Sequence, residues 1–266
     1  MSAIAAPLRR LARDVGDAVR FFTRAPVGRP SGEARLDVNR LAWAAPVAGA
    51  AVGLSGAVVL ALASFVGLPR FVRAALAIGA LIAATGALHE DGLADVADGF
   101  GGGATRAMKL EIMRDSRIGA YGTVALALAL ILRVGALAAA LDDGLWRAAA
   151  ALMLVSALSR AGALTPLALL DPARTEGAGA SAGRLKRGAF AAAWGSALII
   201  AFALGLASVA LTSAFAAALA SAAGALAMTE VARRQIGGQT GDVAGAAQQC
   251  SEVAAWCGLL IGHAAA

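Results

Sequence analysis

Residues 119–141 read GAYGTVALALALILRVGALAAAL, 23 positions interrupted by a single charge, Arg133. As a helix this run is about 35 Å long, enough to cross a hydrocarbon core about 30 Å thick. Runs of the same kind recur near 41–66, 72–89, 146–170, 189–211, 213–229 and 242–263. The expected fold is an all-α, polytopic transmembrane bundle of about seven spans. These apolar runs are continuous, whereas a transmembrane β-barrel alternates polarity in segments of about ten residues, so a barrel is excluded. Composition agrees: 59% of the 266 residues are hydrophobic and the mean hydropathy is +0.74, against roughly 45–50% apolar residues in an ordinary soluble domain. Alanine and glycine supply much of the excess, and small side chains let membrane helices approach closely.

The basic residues set an orientation. The amino-terminal segment holds eight arginines, residues 90–118 four Lys or Arg, 171–188 four and 230–241 two, while the alternate loops hold only Arg70, Arg73 and Arg147. The positive-inside rule then puts the amino terminus and the richer loops in the cytoplasm and the carboxy terminus outside. A multi-pass protein of the cell (inner) membrane is expected. The net charge of +6 belongs to this topology and to anionic headgroups, with no nucleic acid as partner. The first strongly apolar run begins near Leu41, so no cleavable secretion signal is expected.

Residues 1–40 are expected to form a cytoplasmic or interfacial segment, and 41–266 a single integral membrane catalytic domain. In the former, Leu8, Leu11, Val15, Val19 and Phe22 recur at helical spacing, with Arg9, Arg10, Arg13 and Arg20 mostly off that stripe. This is the pattern of an interfacial amphipathic helix, with a cap packed on the loops as the alternative. Gly28-Arg29-Pro30-Ser31-Gly32 then breaks the helix. Cys250 and Cys257 sit in an apolar segment and are expected as small packing residues rather than a disulfide or metal pair.

Chemistry concentrates between the second and third spans. His89-Glu90-Asp91-Gly92-Leu93-Ala94-Asp95-Val96-Ala97-Asp98-Gly99 is followed by a glycine-rich stretch and by Lys109-Leu110-Glu111-Ile112-Met113-Arg114-Asp115-Ser116-Arg117-Ile118-Gly119, so that six of the seventeen acidic residues fall between 90 and 115. On a helix Asp91, Asp95 and Asp98 stand at i, i+4 and i+7 on one face, and Glu111 and Asp115 form a second i, i+4 pair. Like charges so placed repel, and the residues between them are alanine, valine and leucine rather than lysine. A cation relieves the repulsion. Carboxylate oxygens are hard donors, which points to Mg²⁺ or Mn²⁺ rather than Zn²⁺, and Mg²⁺ commonly bridges a few carboxylates to substrate phosphates. Arg106, Lys109, Arg114 and Arg117 add positive charge of the kind a metal-bound diphosphate requires. His89, at the end of a span, reads either as a hydrogen-bonded interface residue or as a ligand. Gly99, Gly101, Gly102 and Gly103 read either as a phosphate-approaching reversal or as a plain turn.

The strings LHEDGLADVADGFGGG and LEIMRDSRIGAYG closely resemble two segments of the cobalamin synthase family, the adenosylcobinamide-GDP ribazoletransferases. The likeness extends to Phe22-Thr23-Arg24-Ala25-Pro26 and to Gly237-Gly238-Gln239-Thr240-Gly241-Asp242-Val243-Ala244-Gly245-Ala246, and so spans nearly the whole chain. Ala44-Ala45-Pro46-Val47 departs from the bulkier aromatic-proline pattern expected in the first span, a matter of local packing. The resemblance implies a Mg²⁺-dependent enzyme of the prokaryotic cell membrane that joins adenosylcobinamide-GDP to α-ribazole or its 5′-phosphate. The products are adenosylcobalamin or its 5′-phosphate and GMP.

On this reading Asp91, Asp95 and Asp98 hold Mg²⁺, Glu111 or Asp115 completes the site, and Asp115 or Asp242 is the general base. Arg106, Lys109, Arg114 and Arg117 bind substrate phosphates. Asp242 also reads as the cap of the last span. A weaker similarity links Asp95-x-x-Asp98-Gly99 and Glu111-x-x-x-Asp115 to the CDP-alcohol phosphotransferases of lipid synthesis. A transporter is the rival from another class, because Arg133, Arg160 and Glu252 lie inside spans, where an unpaired charge is expensive. Arg160 and Glu252 are expected to pair. The bilayer is a partner in every case, and a homo-oligomer is compatible with the sequence.

Overall fold

The computed structural model describes residues 2–24 and 37–261, and all its regular elements are helical apart from one isolated bridge between Pro172 and Gln239. The helices are α1 (Ser2–Phe22), α2 (Val38–Leu41), α3 (Ala45–Phe65), α4 (Arg70–Thr85), α5 (Leu88–Gly102), α6 (Arg106–Ile112) and α7 (Ala120–Ala140). They continue with α8 (Leu145–Ala163), α9 (Thr165–Leu169), α10 (Ala178–Ala182), α11 (Arg187–Leu204), α12 (Leu211–Ile236) and α13 (Gly241–Leu259). The breaker at residues 28–32 and the Ala25-Pro26 pair lie outside the described residues.

Among the described residues five helical segments are long and apolar enough to cross a membrane: Val38–Phe65, Ala120–Asp143, Leu145–Leu169, Arg187–Val209 and Leu211–Ile236. The pair α4–α5, bent by 89°, makes a sixth if it is one broken span rather than a re-entrant loop. The bend interrupts the expected span 72–89 and has a local cause. Gly86 (φ 64°) and Ala87 (φ 59°) are successive left-handed residues, and their N–H groups bond back to the carbonyls of Ala83 and Ile82 as in a Schellman ending. The seventh expected span coincides with α13. This helix carries Gln248, Gln249 and Glu252, all buried, and is not among the five apolar segments.

Small residues set the packing. A Cβ at Gly53 would lie 2.6 Å from the Met153 Cα, and one at Gly224 or Gly258 would lie 2.6 Å from the carbonyl oxygen of Cys250 or Ala216. Backbones therefore touch between α3 and α8 and between α12 and α13, the close approach that small residues permit. Helix α8 is the centre, with 83% of its most apolar stretch buried, against 22% for α11 at the rim. Cys250 and Cys257 are free thiols on α13.

The α1 helix is amphipathic as expected, but its inner face lies on protein. Ala18 and Phe22 pack with Ala42, Ala44, Ala45, Leu164 and Leu167. Asp14 and Asp17 are buried, and both pair with Arg40, at 3.5 and 2.8 Å. Leu11 and Phe21 remain exposed. The cap alternative thus describes the inner face, because two aspartates on it need partners that only the protein supplies.

The loops separate to two ends. At one, Lys186 N donates to Asn39 Oδ1 at 2.7 Å, Ala173 N to Gln239 O at 2.8 Å, and Arg106 to both Ile236 O and Ala173 O at 2.8 Å. The basic loops 90–118, 171–188 and 230–241 are therefore tied together. At the other end Arg70 pairs with Asp142.

Candidate functional site

The acidic stretch 90–98 folds as one helix, α5, because alanine, leucine and valine alternate with its carboxylates and its glycines pack against neighbours. A Cβ on Gly92 would lie 2.8 Å from Asp242 O and 3.2 Å from Gly245 Cα, while Gly245 faces Gly92 and His89 in turn. Helices α5 and α13 thus meet backbone to backbone. This contact brings Asp242, 144 positions or more along the chain from the acidic stretch of α5, to its carboxylates. Asp95 lies in the field of Asp91, Asp242 and Asp98, with Arg174 as an opposing cation.

Asp242 does not cap α13. Thr240 does, its Oγ1 accepting from Val243 N at 3.2 Å, which frees the Asp242 carboxylate. That group accepts from the Thr240 hydroxyl at 3.2 Å and from Arg174 Nη2 at 3.3 Å. Burial pushes the Asp242 carboxyl above its usual range and Asp91 adds to the rise, against Arg174 and the Thr240 hydroxyl. Arg174 is a site residue that sequence reasoning missed. Its only signal was a basic residue just after Asp171-Pro172 in a loop whose pairing the chain does not reveal.

Asp98 serves a different purpose from the one expected. Its two oxygens accept from Gly119 N at 2.7 Å and Gly122 N at 2.9 Å, satisfying the free N–H groups at the start of α7. A Cβ at Gly119 or Gly122 would collide with this carboxylate, which accounts for both glycines of Ser116-Arg117-Ile118-Gly119-Ala120-Tyr121-Gly122. Gly99, Gly101 and Gly102 are helical, and Gly99, Gly101 and Gly103 face Met113, Tyr121 and Lys109. They admit neighbouring side chains and form no phosphate loop of their own.

The α6 residues are engaged elsewhere. Arg106 bonds the Ile236 and Ala173 carbonyls and Lys109 bonds Gln235, both beside the end of α12, whose last carbonyls attract cations. Arg117 grips Asp115 through its guanidinium and backbone N–H, holding that carboxyl down at about 2. Glu111 and Arg114 are exposed. The structure therefore does not gather Glu111 or Asp115 with Asp91, Asp95 and Asp242.

Among the described residues no three His, Cys, Asp or Glu side chains converge tightly enough to cage a metal by themselves. Mg²⁺ needs no such cage, since one or two carboxylates with waters and substrate phosphates suffice. Asp91 and Asp95, one helical turn apart on α5 with oxygen-only donors, fit that mode. Asp98, the third aspartate of the expected clamp, has each oxygen engaged by a backbone N–H of α7.

Behind this cluster lies a buried ionic network that the sequence only hinted at. Arg133 Nη1 reaches Glu90 Oε1 at 2.8 Å and its Nε lies 2.9 Å from Glu252 Oε1. Arg160 Nη1 lies 3.8 Å from Glu252 Oε2, so the expected pair is present. Gln249 donates to Glu90 at 3.1 Å, and Gln248 to Glu252 at 2.6 Å and to Ser159 at 2.9 Å. The charges inside the spans thus stand beside opposite charges rather than alone.

The family description cobalamin-5-phosphate synthase matches residues 14–260. Similar proteins named adenosylcobinamide-GDP ribazoletransferase come from Azorhizobium caulinodans, 50% identical over 95% of this chain and 97% of the relative, and from Xanthobacter autotrophicus, 48% identical over 96% and 98%. A third, from Bradyrhizobium diazoefficiens, is 45% identical over 92% of each chain. No solved structure matches. On this full-length agreement, which includes both the acidic helix and the Gly241-Asp242 turn that meets it, the chain belongs to the cobalamin-5-phosphate synthase family.

Proposed function

We propose that this multi-pass membrane protein joins adenosylcobinamide-GDP to α-ribazole or its 5′-phosphate by Mg²⁺-dependent phosphoryl transfer, at the cytoplasmic face of the cell membrane. Full-length kinship with the relatives named above supports the substrates. The single structural observation that carries the chemistry is the junction of α5 and α13, which gathers Asp91, Asp95 and Asp242 beside Arg174. In the reaction a ribazole hydroxyl oxygen bonds to the corrinoid-side phosphorus, the bridging P–O bond breaks and GMP leaves. Asp91 and Asp95 would hold Mg²⁺, which supplies charge neutralisation to the diphosphate. Asp242 would accept the hydroxyl proton. Arg174 attracts phosphate oxygens and keeps Asp242 oriented. Such catalysis is mostly positioning and electrostatics, which fits carboxylates held by helices packed backbone to backbone.

The test is an assay of the purified full-length protein in nanodiscs with adenosylcobinamide-GDP and α-ribazole 5′-phosphate, with and without Mg²⁺. Formation of the nucleotide-loop product with one GMP per turnover, abolished by chelation, is the expected result. A lipid alcohol accepted in place of ribazole would favour the CDP-alcohol reading. No GMP release in any condition would refute the proposal.

A further inference from the structure

Next to the carboxylates the structure holds a cavity of about 200 Å³ among α1, α2, α3, α5, α9, α10 and α13, with the end of α8. Of the twenty described residues that line it, only His89, Asp91 and Asp242 carry polar side chains. The remainder are alanine, glycine, valine, leucine and phenylalanine. The His89 ring is already stacked on Phe22, with centroids 6.0 Å apart and planes 15° from parallel. The cavity is thus an apolar slot whose polar groups include two carboxylates of the candidate active site.

Accepting the proposed reaction, we infer that this slot binds the benzimidazole base of the ribazole acceptor, so that Phe22, Leu41, Leu164 and Leu167 determine which bases the enzyme accepts. The chemistry separates the reactants. Guanine offers donors at N1 and N2 and acceptors at O6 and N7, and in this slot most of them would face carbon, a costly burial without hydrogen bonds. A corrin macrocycle carries amide side chains whose donors and acceptors would likewise face carbon. Dimethylbenzimidazole is a flat, methylated bicycle with a single free ring nitrogen, and burying it against leucine and phenylalanine is favourable. With the base in the slot, its ribose lies towards Asp91 and Asp242, where the attacking hydroxyl is required.

The test uses the purified full-length protein in nanodiscs and two wall variants outside the catalytic groups, Leu167→Ala to enlarge the slot and Leu164→Phe to narrow it. Ribosides of dimethylbenzimidazole and of the larger naphthimidazole compete in one reaction, so the ratio of their kcat/KM values is independent of how much enzyme is folded. Leu167→Ala should shift that ratio about tenfold towards naphthimidazole, the scale on which hydrophobic pockets discriminate, and Leu164→Phe should shift it the other way. The KM for adenosylcobinamide-GDP should stay within about twofold in both. An unchanged ratio in both variants, or a change confined to the KM for the corrinoid substrate, would overturn the inference. A parallel calorimetric titration with free dimethylbenzimidazole keeps this result separate from the proposed activity. Binding weakened by the wall variants in a protein that transfers no ribazole would sustain the slot and sink the reaction. Titrations identical in wild type and variants, as expected if a lipid acyl chain fills the cavity, would sink the slot alone.

Discussion

Replacing Arg133 by methionine isolates what the buried network contributes. Arg133 is 2% exposed and stands between Glu90 and Glu252, which are 8% and 1% exposed. The methionine keeps most of the volume and removes the cation. Glu252 retains Arg160 at 3.8 Å and Gln248 at 2.6 Å, while Glu90 retains only Gln249 among these partners, at 3.1 Å. One carboxylate is thus left buried without a counter-charge, a change that costs about 3–5 kcal/mol in protein interiors. Against a total stability of about 5–15 kcal/mol, that is a large fraction. Pairing the change with Glu90→Gln restores neutrality, with Glu252 and Arg160 still matched, and should recover more than half of the loss. Arg133→Lys should recover less, since one ammonium cannot present the guanidinium's separate donors to two carboxylates. Reversible unfolding in mixed micelles measures all four proteins. An Arg133→Met variant within about 1 kcal/mol of wild type, below the range for a broken buried pair, would refute the reasoning, as would a double variant no more stable than the single one.

Asp91→Asn and Asp95→Asn should weaken the apparent Mg²⁺ affinity in a titration of ribazole transfer, whereas Asp98→Asn should leave it near wild type and lower stability by about 1 kcal/mol as a lost cap; a Mg²⁺ shift in Asp98→Asn as large as in Asp95→Asn would return Asp98 to the metal. Asp242→Asn should cut kcat by about 10²–10⁴-fold with Mg²⁺ affinity retained, and Asp115→Asn, already neutralised by Arg117, should lose much less. Gly92→Ala places a methyl 2.8 Å from Asp242 O and should cost about 1–3 kcal/mol as an overpacked contact together with most of the turnover; full activity in that variant would separate the site from the α5–α13 junction. Ala104→Cys, in a background without Cys250 and Cys257, should react with thiol reagents only from the cytoplasmic side, and labelling from outside would reverse the topology.

The two ends of the acidic segment show how far the chain could be read. Periodicity placed Asp91, Asp95 and Asp98 on one helix face, and they are on one helix, but the face winds far enough by Asp98 for it to meet α7 instead of the cavity. Asp242 was legible as a candidate through its motif, yet whether it capped a helix or faced the site depended on Thr240 taking the cap. The α6 cations read as phosphate binders because charge beside carboxylates is all that a linear string displays. The commitment of Arg106 to the Ile236 and Ala173 carbonyls and of Lys109 to Gln235 arises from partners more than sixty positions distant. What the sequence by itself determined is the helical membrane class, the approximate spans, the segregation of basic loops and the family, since these follow from local hydropathy, charge and contiguous motifs. What only the tertiary structure decided is the 89° bend, the pairing of Arg133 with Glu90 and Glu252, the gathering of Asp242 and Arg174 with α5, and the apolar slot. Each of these depends on which helices touch, and contact between helices is set by small residues and buried charges that satisfy one another only when the whole bundle has closed.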